Sequence, residues 1–96
     1  MERTELERRR QNEQLFAQAN EQIRDAAVQH HVDPVPFLCE CSALNCTETI
    51  PLPLLAYCKV RERGGFMIRP GHDDPQVEHV VEDHGAFQVV EKFRQA

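Results

Sequence analysis

Three cysteines fall within eight residues of this chain, at Cys39, Cys41 and Cys46. Thiolates crowded in this way repel one another unless a cation neutralises them, and a bound metal ion both lowers their pKa and makes the arrangement stable. Cys39 and Cys41 are two residues apart, so on an extended strand both sulfurs leave the same face. Cys46 follows after a gap that a tight loop can close. Zinc takes four ligands at about 2.0–2.3 Å in a tetrahedron, and three cysteines with one histidine form a common structural set. The fourth ligand must come from elsewhere, and His72 is the first choice. It stands in the turn Pro70-Gly71-His72, where a backbone bend can aim an imidazole inward. Cys58 is the rival, although its plain reading is a small buried thiol on a helix. His30, His31, His79 and His84 are further alternatives. Without a metal the run would be three unrelated buried cysteines, which packing alone explains poorly.

The neighbours of these residues have plainer readings. Asp73 or Asp74 could orient the His72 ring, but turn chemistry before Pro75 accounts for both. His30-His31 suits the negative end of a helix dipole. No Ser/His/Asp arrangement, glycine-rich phosphate loop or His-Glu-x-x-His stands in the sequence. Three thiolates and an imidazole fill a zinc shell and leave no position for water, so a structural ion is expected and enzyme activity is not.

The chain that must position these ligands has 96 residues, enough for one domain. A core this small buries roughly 60–65% of the unfolded surface, and short chains often add a metal to compensate. The formal charge is −5, from 11 basic and 16 acidic residues, which disfavours general affinity for nucleic acid. The basic run Arg8-Arg9-Arg10 sits among Glu5, Glu7 and Glu13 and reads as a solvated helix face. The charged start, without the apolar core of a signal peptide, and the absence of a membrane-length apolar run lead to the expectation of a cytoplasmic protein. There thiols stay reduced, so cysteines read as ligands before disulfides.

Residues 1–34 read as a long N-terminal helix. Thr4 with Glu7 is a capping box. Phe16, Ala19, Ile23, Ala26 and His30 recur at helical spacing, with Leu15, Ala27 and Val28 widening the stripe. The polar turns before Leu15 should face solvent, and Asp33-Pro34 with Pro36 should stop the helix. That stripe could pair with its copy in a homodimer or dock on a protein partner; packing on its own sheet is the equal alternative. Residues 35–96 read as a compact metal-binding unit. Phe37–Cys41 and Thr47–Leu52 form a hairpin around a turn at Ser42–Asn45. A short helix follows from Leu54 to Arg63, ended by Gly64-Gly65. Phe66–Ile68, Val77–Glu82 and Phe87–Phe93 are strands, the last two a hairpin through Asp83–Ala86. The fold class is therefore α+β: a long helix, then a small zinc-stabilised antiparallel β domain with one short helix.

Phe37-Leu38-Cys39-Glu40-Cys41, Cys46-Thr47-Glu48, Pro70-Gly71-His72, Val80-Val81-Glu82 and Val89-Val90-Glu91-Lys92 together resemble a group of short, uncharacterised bacterial proteins. Asn12-Glu13-Gln14-Leu15-Phe16 and Asn20-Glu21-Gln22-Ile23 are similar to the helix that precedes the cysteines in that group. The resemblance spans roughly residues 12 to 93. It implies zinc binding with His72 as the fourth ligand, because Cys58 and His79 lie outside the shared motif, and it implies no activity. Cys-x-Cys with a third cysteine and one histidine is also similar to the ligand set of the CDGSH iron–sulfur proteins, which would imply a [2Fe–2S] redox or iron sensor. In that family the histidine follows the third cysteine closely, and the Asp-Gly-Ser-His run is absent here.

Overall fold

A computed structural model describes residues 5–41, 43 and 46–93. Helix α1 covers Glu5–His30, 26 residues. Strands β1 (Val35–Leu38) and β2 (Thr49–Leu52) pair antiparallel as a two-stranded ribbon. Helix α2 (Leu54–Glu62) leads to β3 (Phe66–Ile68), and β4 (Glu78–Asp83) and β5 (Gln88–Lys92) complete a second, antiparallel sheet in the order β3-β5-β4. This is the expected α+β arrangement. The expected cap at Thr4 and most of the turn at 42–45 lie outside the described residues.

The ribbon follows from alternation. Val35, Phe37, Ile50 and Leu52 are buried, while Pro36 and Pro51 face outward and stand opposite one another in the register. Buried aliphatic and aromatic side chains contribute roughly 1.5–3 kcal/mol each. Phe37 stacks on Tyr57 of α2 with ring centroids 4.2 Å apart. Met67, Ile68, Val89 and Val90 close this core from the second sheet. Helix α2 starts after Pro53, whose side chain makes no cap; Asp33 Oδ1 accepts from Leu54 N instead, at 3.1 Å. Gly64, at φ 73°, ends the helix in the left-handed conformation that glycine adopts without strain. Gly65 has a different reason: a Cβ there would stand 2.8 Å from Val89 Cγ1. Between Val80 and Glu82 the β4–β5 register shifts by one residue, a bulge that turns the end of the hairpin.

Helix α1 departs from the expected pattern in two ways. It ends at His30, before the prolines, because His31 takes φ 57° and Val32 N donates back to Ala27 O at 2.9 Å. Among its described side chains the buried ones are Glu13, Asn20 and Ala27, spaced by seven. Of the apolar stripe, the contact face therefore takes Ala27 and part of Ile23. Ala26, His30, Leu15 and Val28 are exposed, and Ile23 packs only partly on the core. Nor does the polar stretch before Leu15 lie wholly in solvent, since Glu13 is fully buried. Polar anchors replace apolar ones. The Asn20 side-chain amide accepts from Leu38 N (2.8 Å) and donates to Leu38 O (3.0 Å), as a neighbouring strand would. Asn12 donates to Ala43 O at 3.1 Å. Periodicity detects apolar residues, and a helix docked through hydrogen bonds gives it no signal.

Candidate metal centre

The polypeptide around Cys39 and Cys41 is extended but lies just beyond β1, not within a strand as expected. Its backbone groups are nonetheless committed. Cys39 N donates to Glu48 O at 2.9 Å and Glu40 N to Met67 O at 2.8 Å, so this segment bridges the ribbon and β3. Side chains still alternate: both thiols turn one way and Glu40 the other.

Glu40 is the residue that sequence reasoning passed over. It is fully buried, and three donors converge on its carboxylate: Asn20 Nδ2 at 2.7 Å, Met67 N at 3.1 Å and the Arg61 guanidinium. Arg61 also donates to Gly65 O (2.9 Å), pairs with Glu21 and lies over the rings of Tyr57 and Phe66. Glu40 raises the Arg61 pKa further against the opposing effect of burial. A glutamate between two cysteines reads as a spacer. Here it fastens the Cys39–Cys41 segment from behind.

On the other side, Cys39, Cys41, Cys46 and His72 place their ligand atoms within 4.8 Å of one another. Cys39 Sγ stands 3.6 Å from His72 Nδ1, and Cys46 Sγ stands 3.8 Å from it. A tetrahedron with zinc–ligand bonds of about 2.0–2.3 Å has edges of about 3.3–3.8 Å, and both distances fall at the upper end of that range. The cluster thus has the size of one four-coordinate ion. Cys39 and Cys41 are buried, whereas Cys46 and His72 are half-buried. Cys46 enters β2, and His72 sits in the β3–β4 connection, where its N–H donates to Arg69 O at 3.0 Å. The ligand set therefore joins the two sheets.

The electrostatics of the thiols call for a cation. The Cys41 thiol hydrogen-bonds to Cys39, which holds Cys39 below the usual thiol range; Arg69 N, 3.2 Å from Cys39 Sγ, adds to the effect. Giving that hydrogen bond, with burial, pushes Cys41 well up. Burial pushes Cys46 up as well. The thiols thus differ: Cys39 is the one whose thiolate its neighbours favour, and Cys41 and Cys46 need a cation to offset burial before they lose their protons.

His72 Nε2 lies 3.1 Å from Glu48 Oε2. A proton on Nε2 bonded to that carboxylate leaves the Nδ1 lone pair pointing at the sulfurs, the arrangement that fixes the tautomer of a metal-ligating histidine. Glu48 is itself 3.4 Å from Arg69 Nε. The carboxylate that meets the ring is thus that of Glu48. Asp74 does turn chemistry, its carbonyl accepting from Val77 N and Glu78 N and its carboxylate from Gln76 N.

The other sequence candidates stand apart from this group. Cys58 is half-buried on α2 and packs against the core. His30 and His31 are exposed at the end of α1, His79 stacks on Phe93, and His84 pairs with Glu82 at the β4–β5 turn. All four cysteines are free of disulfides. No described helix is long and apolar enough to cross a membrane. No protein-family model, curated protein or solved structure matches the chain.

Proposed function

We propose that this chain is a cytoplasmic zinc-binding module in which Cys39, Cys41, Cys46 and His72 hold one structural ion, and that it works by binding a protein partner rather than by catalysis. The observation that carries the reading is the closeness of the four donor atoms, all within 4.8 Å. A two-iron cluster holds its ligands in two separated pairs, so this compactness favours a single ion. Four protein donors leave no position for substrate or water, which supports a structural role. Structural zinc contributes on the order of 10–16 kcal/mol in small domains. That would suffice to lock two small sheets and a polar-docked helix into one platform. The charge of −5 supports a protein partner over nucleic acid.

Elemental analysis of the untagged protein, purified without chelators, tests the metal. About one zinc per chain is expected. Less than about half an equivalent of any metal would refute the reading, and stoichiometric iron with sulfide would replace it with the iron–sulfur one. Light scattering on the same sample measures whether the partner is a second copy.

A further inference from the structure

Away from the metal centre, two glutamates are buried side by side. Glu13 of α1 is 0% exposed and Glu78, at the start of β4, is 1% exposed. Glu78 Oε2 accepts from Asp74 N at 3.2 Å. Glu78 Oε1 and both Glu13 oxygens have no hydrogen-bond partner. Among the described side chains the nearby cation is Lys92, the cross-strand partner of Glu78 on β5. Its ammonium stands 3.2 Å from Glu13 Oε2 as an ion contact and 4.4 Å from the centre of the Phe66 ring on β3. Among the described side chains a further charged residue nearby is Asp74, in the loop before β4, whose backbone N donates to Glu78 and whose carboxylate accepts from Gln76 N.

Two buried carboxylates and one partly exposed ammonium leave a net negative charge, and of the three acceptors without a hydrogen bond only Glu13 Oε2 faces the ammonium. Unpaired buried charge and unsatisfied buried acceptors are both costly. A single proton relieves both problems: it neutralises the two carboxylates and the ammonium, and it supplies a donor that one carboxyl gives to the other. We propose that Glu13 and Glu78 share one proton, and that this proton latches the N-terminal half of α1 onto the β4–β5 sheet and loosens its hold as pH rises. Consistent with this, burial first, and then the adjacent Glu13, push Glu78 up to about 8. The inference does not depend on which metal the chain binds.

The sign follows from linkage. A docked carboxyl pair binds its proton more tightly than the same groups in water, so docking is strongest below the ordinary carboxylate range. It weakens as pH rises from that range towards 8 and levels off above it. Hydrogen exchange of the full-length chain as purified, read at α1 amides around Glu13 and corrected for intrinsic base catalysis, measures this opening. Between pH of about 5.5 and about 7.5 the opening constant should rise about tenfold per pH unit, the slope for one linked proton. Amides of 39–41 should not follow it. Glu78→Gln, which keeps the donor and carries no charge, should abolish the slope. An opening constant independent of pH in the natural chain, or an undiminished slope in Glu78→Gln, overturns the proposal. Should that variant not fold, isotope-edited infrared spectroscopy of the natural chain decides. A protonated glutamate carbonyl band must persist near neutral pH and vanish in alkali, and its absence near neutral pH overturns the proposal.

Discussion

Replacing Glu40 with alanine removes the acceptor on which Asn20, Met67 and Arg61 converge. Breaking a buried ion pair by deleting one partner costs about 3–5 kcal/mol, and leaving the Met67 amide without an acceptor adds roughly 1–3 kcal/mol. Arg61 keeps Glu21, the Gly65 carbonyl and two aromatic faces, so the lower part of that sum applies, about 4–6 kcal/mol. Small domains are stable by only about 5–15 kcal/mol, which makes this loss close to disabling. Glu40→Gln keeps one acceptor oxygen and the volume but not the charge, and should cost about 2–3 kcal/mol. Glu21→Gln touches the same arginine from a half-exposed position and should cost less than about 1 kcal/mol. Urea unfolding of the metal-saturated protein, with Glu21→Gln as the control, gives all three values. Because Glu40 also fastens the segment carrying Cys39 and Cys41, Glu40→Ala should weaken zinc binding in a chelator competition. A Glu40→Ala protein within about 1 kcal/mol of the natural chain, no worse than Glu21→Gln, would refute the view that this carboxylate holds the helix, the sheet and the ligand segment together.

Cys41→Ser should lower the melting temperature far more than Cys58→Ser, because one removes a ligand from the cluster and the other trims a half-buried thiol; equal losses would argue against the proposed ligand set. Glu48→Gln should weaken zinc binding on the order of tenfold by releasing the His72 ring, and an unchanged affinity in chelator competition would remove Glu48 from the site. Deleting residues 1–10 should leave metal content and melting temperature nearly unchanged. Asn20→Ala, by contrast, strips one buried and two partly buried hydrogen bonds and should cost about 2–3 kcal/mol in urea unfolding. If the two changes were equally mild, polar docking of α1 would be the wrong account.

The features that were legible in the sequence are those written in local pattern. The hairpin and the Gly64-Gly65 stop after α2 need only neighbours along the chain, although the first strand forms at Val35–Leu38 and not at the expected Phe37–Cys41, and the second starts at Thr49. The clustering of Cys39, Cys41 and Cys46 drew attention to a metal before any contact was known, and the structure brings His72 beside them. What was missed depends on groups distant in sequence. Asn20 reaches Leu38 and Glu40, Glu13 meets Lys92 and Glu78, and Glu48 meets His72. Each is a common surface residue type whose burial or partner arises only when two elements meet. The pairing of β3 with β5, which makes the second sheet three-stranded, is likewise non-local.

The ribbon formed by β1 and β2 has a consequence for how molecules of this protein behave when crowded. A two-stranded ribbon ordinarily offers two open edges, each able to recruit a strand from another chain and so begin aggregation. Pro36 and Pro51, opposed in the register, have no amide hydrogen to offer an incoming strand. Beside Pro36, both backbone groups of Leu38 are already taken by the Asn20 amide, and beside Pro51 the Thr49 carbonyl accepts from Arg69 at 3.3 Å. An invading strand would find no donor at either proline, both groups of Leu38 occupied and the Thr49 carbonyl taken. The helix and one arginine thus protect the most apolar hairpin of the chain from polymerising, and loosening α1 at Asn20 would uncover the Leu38 edge.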